Sequence, residues 1–502
     1  MNDMKDTEQA NLESTDEIFQ KNLKKANEWR ENGIDPYGQR YDGSISIDTL
    51  RSSYKEDEEE KIIGKIAGRI MAFRAMGKSI FADIKDSTGK IQLYVGKNIL
   101  GESFPLFKRI DIGDIIGVEG ELFVTRMGEL TLKVHNFTML SKSMRTLPEK
   151  WHGLTDIEMR YRQRYVDLIV NDSARDVLLK RSLIVREIRK YLENKGFLEV
   201  ETPMLQTLAG GAAANPFKTY HEALSCDMYL RIAPELYLKR LLVGGFDKVF
   251  ELNRNFRNEG LSRRHNPEFT MLEIYEAYGD CRTMMDLIEG IITHIAEKVM
   301  GKLQIEKNDG TVIDLTPPWK RVEYCDLVKS KSGDDWFELT PDERRAKAKE
   351  MGLTIEDDKV DFEVTNEIYE KLIEPTLLNP TFVTKMPAQL VPLAKKCKDD
   401  DAFVDVFELE INGQEIAPGY SELNDPIEQR KRFEQQLNMD SSDPDYELCE
   451  GKIDEDFLNA LEYGMPPAGG MGVGIDRLII LLTSVDSIRD VILFPHMKPI
   501  KN

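Results

Sequence analysis

The sequence lacks the features that mark membrane-spanning and secreted proteins. No apolar run approaches the roughly 20 residues that a membrane-spanning helix requires. The first 17 residues are polar and acidic, so they do not have the basic start and apolar stretch of a secretory signal. These two absences predict a cytoplasmic protein with no membrane partner.

Cysteine is scarce, and its five copies lie at least 44 positions apart: Cys226, Cys281, Cys325, Cys397 and Cys449. No two of them have the spacing of a metal knuckle or of a redox-active dithiol. We therefore expect reduced thiols with a structural role.

The chain also lacks an overall positive charge, because 68 Lys and Arg face 89 Asp and Glu, for a formal net charge of -21. Phosphate binding needs local positive potential, so the total argues against a nucleic-acid partner. The distribution argues the other way, since residues 61–97 hold 8 basic and 2 acidic residues, against 8 and 16 in residues 1–60. An RNA-binding surface and a solvated basic face explain the stretch 61–97 equally well.

The length of the chain is sufficient for two or three domains. Residues 17–32 place apolar side chains at near-helical spacing before Gly33, which predicts a helix with a defined end. The run EDEEE at 56–60 is typical of a solvated linker. Residues 1–60 are therefore predicted to form an N-terminal helix and an acidic linker.

Residues 62–140 contain short runs rich in β-branched and aromatic residues, separated by turn signals such as DSTGK and RMGE. About five strands in about 80 residues are typical of a small closed barrel, and the oligonucleotide-binding (OB) barrel is the common form of that size. We predict an OB domain over 61–145, followed by a hinge over 146–178.

Residues 179–502 are predicted to form one large α+β domain. A long helix is expected to start near Leu178, and GFLEVETPML at 196–205 predicts a helix end, a short strand and a proline stop. Residues 341–380 are predicted to be mainly helical and to pack beside the core.

One charged stretch of the large domain points to phosphate chemistry. The segment FELNRNFRNEGLSRRHNPEFTMLEIYEAY at 250–278 pairs two apolar runs around a charged loop, which predicts a hairpin that presents Arg257, Glu259 and His265. Arginine suits a phosphate because its guanidinium donates two parallel hydrogen bonds. A surface salt-bridge network explains this loop less well, because Arg263 and Arg264 add to the same cluster.

A second stretch, GGMGVGIDRLIILL at 469–482, places four glycines before Arg477 and an apolar helix. Glycines allow a backbone to approach a ligand closely, and the N-terminus of a helix attracts anions. A lone glycine-rich loop supports a nucleotide site only weakly. Its occurrence in one chain with the charged hairpin supports it strongly.

These two stretches, together with 196–205, resemble the three sequence motifs of class II aminoacyl-tRNA synthetases. From about residue 18 to 498 the chain resembles bacterial lysyl-tRNA synthetases, including GRIMAFRAMGKSIF in the barrel, MRYRQRYVDLI in the hinge and SIRDVILFP at the end. The resemblance implies an antiparallel catalytic sheet flanked by helices, an anticodon-binding barrel and a homodimer. It also implies a lysine–tRNA ligase that uses ATP, L-lysine and tRNA(Lys).

Matched by position to this family, nine residues are implied in ATP binding: Arg257, Glu259, His265, Asn266, Phe269, Glu408, Glu415, Gly474 and Arg477. Arg257 and Arg477 are the implied catalytic residues, the first at the α-phosphate and the lysine carboxylate, the second at the γ-phosphate. Glu408 and Glu415 are the implied ligands of Mg²⁺, a hard ion that prefers oxygen. Without the resemblance, these two carboxylates would be read as solvated surface.

The resemblance further implies an acidic lysine pocket, which is chemically sound because a buried ammonium must be paired to offset its desolvation. Its implied members are Gly211, Glu235, Glu273, Tyr275, Tyr420 and Glu422. Glu422 and Tyr275 are expected at the side-chain ammonium, and Glu235, Glu273 and Gly211 at the α-amine. Each glutamate alone reads as surface charge; together they separate lysine from the substrates of the aspartyl and asparaginyl relatives.

In the barrel, four residues match the family positions that read the anticodon: Arg74, Phe81, Gln92 and Glu129. Single-stranded RNA is usually recognised by aromatic stacking and by polar contacts to splayed bases. A core position for Phe81 is the alternative, because an aromatic residue in a strand is more often buried.

Two positions depart from the family pattern: Asn215 stands where arginine is usual, and Pro418 where asparagine is usual. The family's asparagine helps to hold the lysine carboxylate, whereas proline offers no hydrogen-bond donor. We therefore expect weaker use of lysine.

Two other functions compete with a lysine–tRNA ligase. Some relatives use this catalytic domain to lysylate a translation factor, but those relatives lack the barrel. A non-catalytic RNA-binding paralogue would have lost site residues, and Arg257, Glu259, Glu408, Glu415 and Arg477 are all present.

Overall fold

The computed structural model describes residues 2–55, 61–148, 154–212, 214–356, 359–440 and 453–500, with backbone only for 2–15 and 436–440. The chain divides into two compact units, Met1–Thr155 and Asp156–Asn502. The acidic run at 56–60, part of the predicted hinge at 149–153, and Cys449 lie outside the described residues.

The first unit combines a barrel with short helices. Its α-helices are α1 (Asn2–Glu31), α2 (Ile47–Ser52), α3 (Lys97–Leu100) and α4 (Phe104–Phe107). Its strands are β1 (Ile63–Met76), β2 (Ser79–Lys85), β3 (Lys90–Gly96), β4 (Ile115–Val124) and β5 (Leu130–Ser141). The strands close in the order β1-β2-β3-β5-β4, which confirms the predicted five-stranded barrel.

Alternation of side chains along the strands builds the interior of the barrel. In β3, the residues Ile91, Leu93 and Val95 are buried in one apolar cluster. Trp29 of α1 packs into the same cluster, so the helix joins the core of this unit. The predicted N-terminal helix is confirmed, although α1 starts at residue 2 rather than 17. Just after the helix, Gly33 has a φ of 74°, a backbone angle that favours glycine.

The second unit contains the remaining elements. Its α-helices are α5 (Ile157–Arg162), α6 (Arg164–Val170), α7 (Asp172–Asn194), α8 (Glu235–Val243), α9 (Cys281–Ile295), α10 (Tyr324–Ser332), α11 (Pro341–Glu350), α12 (Asp361–Ile368), α13 (Pro426–Asp440), α14 (Glu455–Glu462), α15 (Ile475–Thr483) and α16 (Ile488–Val491). Its strands are β6 (Leu198–Glu199), β7 (Leu205–Gln206), β8 (Lys218–His221), β9 (Cys226–Leu230), β10 (Lys248–Phe256), β11 (Glu268–Ala277), β12 (Gln304–Glu306), β13 (Val312–Asp314), β14 (Lys320–Glu323), β15 (Thr381–Pro387), β16 (Phe403–Glu410), β17 (Glu415–Ser421) and β18 (Ala468–Gly474).

A large sheet organises this unit. Eight strands of its described part lie in the order β14-β15-β16-β17-β18-β11-β10-β6. Neighbours are antiparallel except at the two edges, where β14 pairs with β15 and β6 with β10 in parallel. Helices α7, α9 and α15 bury Ile184, Ile288 and Leu478 in one cluster with the sheet. The predicted α+β class and the largely antiparallel sheet are confirmed.

The helical predictions for this unit hold with one shift. Helix α7 begins at Asp172, earlier than expected near Leu178, because an acidic residue in the first turn is favourable there and Ala174 is already buried. Residues 341–380 are mainly helical, and Val364 and Ile368 pack in a cluster separate from the main core. No described helix has the length and apolar character that a bilayer crossing demands.

Candidate active site

Three strands in the middle of the large sheet and one helix position the candidate site. Strands β10 and β11 form the predicted hairpin, with Arg254 opposite Thr270 and Phe256 opposite Glu268. Strand β18 pairs with the other edge of β11 and leads through Gly474 into α15. The hairpin loop and the N-terminus of α15 therefore meet at one end of the sheet.

A cavity of about 190 Å³ lies where these elements meet, and we call it the large cavity. Its lining also includes residues that were not predicted as site residues, among them Thr270, Met271 and Asp476. Glu408 is the one residue predicted for ATP binding that does not line it. The other eight do line it: Arg257, Glu259, His265, Asn266, Phe269, Glu415, Gly474 and Arg477.

Arg257 directly follows β10 and carries an unsatisfied donor. Its backbone N–H donates to the carbonyl of Pro267 at 2.8 Å, which closes the base of the loop. The guanidinium carbon lies 5.1 Å from the centroid of the Phe269 ring, within the range of a cation–π contact. The buried Nε has no hydrogen-bond partner among the described residues. A buried donor in this state is costly unless a ligand accepts from it, so the arginine is suited to an anion.

Arg477 brings a second cation from the first turn of α15. Its Nη1 donates to the backbone carbonyl of Glu415 at 3.0 Å, and its Nη2 lies 3.5 Å from Nε2 of His265. Burial and the nearby Arg477 lower the pKa of His265, so the imidazole is neutral at pH 7. The positive charge offered to a ligand here thus comes from the arginines.

Asp476, which the sequence reasoning missed as a site residue, fixes α15 to the hairpin. Its Oδ2 accepts from the backbone N–H of Thr270 at 2.7 Å, and its other oxygen pairs with Arg181 of α7. Arg181 also donates to the hydroxyl of Thr270 at 2.9 Å. This network holds the neighbouring Arg477 at the cavity. Its signal in the sequence is the Asp-Arg pair at the start of the helix.

The two predicted metal ligands lie on the antiparallel neighbours β16 and β17. Glu410 stands directly opposite Glu415, and the carboxylates of Glu415 and Glu374 act electrostatically on Glu408. Burial and these neighbouring carboxylates raise the pKa of Glu408 to about 8. Crowded carboxylates of this kind are relieved by a bound cation, so Glu408 and Glu415 fit a hard divalent ion. No group of three or more His, Cys, Asp or Glu side chains arranged to hold a metal occurs among the described residues.

A second cavity of about 150 Å³, the small cavity, adjoins the first. The two cavities share Arg257, Met271 and Pro418 in their linings, so the departure at Pro418 lies at their junction. Five of the six residues predicted for lysine binding line the small cavity: Gly211, Glu235, Glu273, Tyr275 and Tyr420.

The carboxylates of Glu235 and Glu273 form one side of the small cavity, which we call the acidic wall, and two tyrosines donate hydrogen bonds to them. The hydroxyl of Tyr275 donates to Glu273 at 3.0 Å, and that of Tyr420 donates to Glu235 at 2.7 Å. Both carboxylates are buried, and burial together with Glu235 raises the pKa of Glu273 to about 8. The wall is therefore short of positive charge, which suits a ligand with ammonium groups.

Glu422, the sixth predicted lysine-binding residue, is not among the residues that line the small cavity. Its side chain is 1% exposed, and its carboxylate lies 2.5 Å from the Nζ of Lys239 in α8. Lys239 has no exposed surface and also donates to Glu235 at 2.7 Å. Sequence reasoning missed Lys239, because a Glu and a Lys four residues apart on a helix are also typical of a surface ion pair.

The glycine-rich stretch forms a strand, β18. Gly470 has no side chain because the space is taken: a Cβ there would lie 1.9 Å from Oε1 of Glu422 and 2.5 Å from the ring of Tyr275. Gly472 lines the small cavity and Gly474 the large one. Because they have no side chains, the glycines of β18 line both cavities without filling them.

In the barrel unit, the four predicted anticodon residues lie near one another: Arg74, Phe81, Gln92 and Glu129. Arg74 is opposite Phe81 in the register of β1 and β2, and Gln92 of β3 donates to Glu129 at 3.1 Å. Phe81 is half-buried and does not belong to the apolar cluster of the described barrel residues. Its ring lies 5.3 Å from that of Tyr94, an aromatic neighbour that was not predicted.

Comparison with known protein families defines the class of this fold and site. The family described as tRNA synthetases class II (D, K and N) matches residues 156–498, which contain both cavities. The family described as OB-fold nucleic acid binding domain matches residues 65–140, the barrel. The chain is therefore an aminoacyl-tRNA ligase of class II with an OB barrel before its catalytic unit.

Comparison with individual proteins shows to which family within class II the chain belongs. The chain is 52% identical over 485 residues to Lysine--tRNA ligase of Carboxydothermus hydrogenoformans, which covers 96% of this chain and 98% of the relative. Identity is also 52% to Lysine--tRNA ligase of Pelotomaculum thermopropionicum, over 97% of this chain and 96% of the relative. It is 50% to that of Staphylococcus aureus, over 93% and 95%. The chain belongs to the lysine–tRNA ligase family.

Proposed function

We propose that this chain activates lysine with ATP and transfers the lysyl group to tRNA(Lys). The observation that supports this function most is the pair of adjoining cavities that share Arg257. One cavity carries the cations and the aromatic ring that suit ATP, and the other has an acidic wall that suits an amino acid with two ammonium groups. The names of the relatives agree with this assignment.

ATP occupies the large cavity in this proposal. Phe269 stacks on the adenine, while Arg257 donates to the α-phosphate and Arg477 to the γ-phosphate. Asn266 offers a hydrogen-bond acceptor for the adenine amino group. Its Nδ2 donates to the carbonyl of Glu268 at 2.6 Å, and its buried Oδ1 has no partner among the described residues. Glu259 and His265 complete the nucleotide contacts.

Lysine occupies the small cavity, with its carboxylate at the junction beside Arg257. Its α-amine lies among Glu235, Glu273 and Gly211, and its side-chain ammonium points toward Tyr275 and Tyr420. Glu422 does not line the small cavity, so it attracts that ammonium electrostatically without contacting it. Burial of a cation in this place is offset by the buried carboxylates, which an uncharged or acidic side chain would leave unpaired.

Glu408 and Glu415 are the residues that we propose would hold Mg²⁺. When bound, the ion would supply positive charge that offsets the negative charge of the phosphates of ATP. The raised pKa of Glu408 supports this place, because a nearby cation would return that carboxylate to its ionised form.

The chemistry requires no nucleophile from the protein. A carboxylate oxygen of lysine attacks the α-phosphorus of ATP, the bond to the bridging oxygen breaks, and pyrophosphate leaves. Arg257 lies at both reactants, so it orients them and offsets negative charge in the transition state. The terminal ribose hydroxyl of the tRNA then attacks the carbonyl carbon of the adenylate, and AMP leaves.

The acceptor of the lysyl group separates this function from the two alternatives. The test supplies ATP, radiolabelled lysine, tRNA and a cell extract containing translation factors, followed by ribonuclease treatment. We expect the label on tRNA, so that ribonuclease removes it from the acid-insoluble fraction. Label that survives ribonuclease on a protein would indicate a protein-modifying ligase, and no labelled product would indicate a non-catalytic paralogue.

We also propose a homodimer that works in the cytoplasm. Apolar side chains stay exposed around the stretch that resembles the first family motif: Leu179 and Leu183 of α7 are 52% and 38% exposed, and Leu198 and Leu205 are 50% and 45% exposed. A second copy of the chain that covered them would remove apolar surface from water.

A further inference from the structure

We infer that Lys239 is a positioning residue for lysine, whose buried ammonium sets the charge of the acidic wall and thereby selects an amino acid with one net positive charge. This inference rests on the proposed function and extends it to a residue that does not itself line the small cavity.

The contacts of Lys239 are those of an internal counter-ion. Its Nζ lies 2.7 Å from Glu235 and 2.5 Å from Glu422, and its side chain has no exposed surface. The ring of Tyr420 lies 5.6 Å from the same nitrogen, and the hydroxyl of Tyr420 donates to Glu235. The ammonium therefore ties together Glu235, which lines the cavity, and Glu422, which lies behind it.

The charges around the small cavity balance only when Lys239 is counted. In their ionised forms, the three buried carboxylates of Glu235, Glu273 and Glu422 face the two cations Lys239 and Arg257, which leaves one excess negative charge. The neighbouring pair of Arg231 and Glu251 adds no net charge. Before lysine binds at pH 7, the raised pKa values of Glu273 and Glu422 mean that bound protons offset this excess, and the substrate would take their place. Lysine carries two ammonium groups and one carboxylate, so it brings one net positive charge and neutralises the site. Without Lys239 the wall would carry two excess negative charges, and buried charge without a partner is costly.

The carboxylates around the small cavity can reduce an excess of negative charge by taking up protons. Burial and Glu235 raise the pKa of Glu422 to about 8, although the ammonium of Lys239 acts in the opposite direction. Loss of that ammonium removes the stabilising cation, so the pKa of Glu422 rises further. A carboxyl group is neutral below its pKa, so a proton already competes with the substrate ammonium at pH 7 in the wild type, and without Lys239 it would compete more strongly and up to a higher pH. Lysine would then have to displace it, and its binding would improve as the pH rises.

Lys239→Ala tests this role through lysine-dependent exchange of pyrophosphate into ATP. We expect KM for lysine at pH 7 to rise by about tenfold, with a much smaller change in kcat, because the reacting atoms are untouched. The difference from wild type should shrink as the pH is raised toward 8.5. Purely structural damage would lower kcat or stability without this pH dependence.

Chemical rescue separates charge from packing. Propylammonium replaces the atoms that Lys239→Ala removes, and 1-propanol is a neutral molecule of similar size. We expect propylammonium to lower KM for lysine in the variant and 1-propanol to leave it unchanged, while neither improves the wild type. Pentane-1,5-diamine, with two net charges, should inhibit the variant more strongly than the wild type.

Lys239→Met fills the same space without charge and serves if the alanine variant does not fold. The same rise in KM and the same pH dependence are expected. An unchanged KM and pH profile in a folded variant, or equal rescue by 1-propanol, would overturn the role of Lys239. Wild-type protein without lysine-dependent exchange would instead overturn the proposed function itself.

Discussion

Among single residues, Arg257 connects the two halves of the proposed reaction, because it lines both cavities and has a buried Nε without a partner among the described residues. We predict that Arg257→Ala lowers lysine-dependent pyrophosphate exchange by at least about a hundredfold, since charge-assisted hydrogen bonds contribute about 1.5 to 3 kcal/mol each. Thermal unfolding should be close to that of the wild type.

Arg254→Ala is the matched control for this change. Arg254 lies on the same hairpin, is 37% exposed and pairs with Glu268 at 3.6 Å, but it lines neither cavity. Its loss should leave exchange nearly unchanged, because exposed ion pairs contribute little. Near wild-type exchange in folded Arg257→Ala would remove the basis of the site assignment.

Pro418 is the residue at which this chain departs from the family pattern most seriously. It lies at the junction of the cavities, where the ladder between β17 and β18 ends at Gly419. Pro418→Asn would add an amide donor beside the lysine carboxylate, so we predict a KM for lysine lowered by about tenfold to a hundredfold at saturating ATP. Pro418→Ala, which adds no side-chain donor, should bring no such gain.

An unchanged or raised KM in Pro418→Asn would mean that another group already holds the carboxylate. Preference of the wild type for an amino acid other than lysine would mean that the small cavity has a different ligand.

A residue could be predicted to belong to the site where a sequence motif specifies both the residue type and its distance from other motif residues, as for Arg257 and Arg477. Burial could not be predicted in the same way. Lys239 and Glu422 are far apart in the chain, and nothing in their local sequence shows that they meet with no exposed surface. The place of Pro418 between two cavities likewise depends on where a strand ladder ends.

At the scale of elements, the outer face of β2 and β3 is the proposed reader of the anticodon. We predict that Phe81→Ala leaves pyrophosphate exchange unchanged and weakens tRNA charging, because a lost base stack costs about 1 to 3 kcal/mol. Ile112→Ala, at an exposed apolar residue in the segment before β4, is the control and should affect neither activity. A joint fall of both activities and of thermal stability would instead indicate that Phe81 supports the barrel fold.

The elements show where sequence patterns are reliable. Alternating apolar residues and turn signals predict the barrel strands, because half-buried strands require that alternation. No strand was predicted for the glycine-rich stretch, since glycine is uncommon in strands, but the stretch forms β18, where the side chains of Tyr275 and Glu422 fill the space that a side chain would need. Such crowding comes from distant residues and has no local signal.

For the whole molecule, the exposed leucines of α7, β6 and β7 lead to a prediction about assembly. We expect the wild-type protein to sediment as a dimer at micromolar concentration. Leu198→Glu should shift it toward the monomer, because it would bury a charge in the interface. Tyr463→Glu is the control, since Tyr463 is 90% exposed and lies far from residues 196–205 in the sequence. A wild-type monomer would contradict the proposed dimer.

We propose that the two adjoining cavities bind ATP and lysine, and that the two substrates react beside Arg257. Exchange of labelled pyrophosphate into ATP measures that step directly, without tRNA, and each of the other amino acids serves as a control at equal concentration. We predict that exchange with lysine far exceeds exchange with any other amino acid, and that no exchange occurs without an amino acid. Exchange driven by aspartate, asparagine or another amino acid, or no exchange at saturating lysine and ATP, would contradict it.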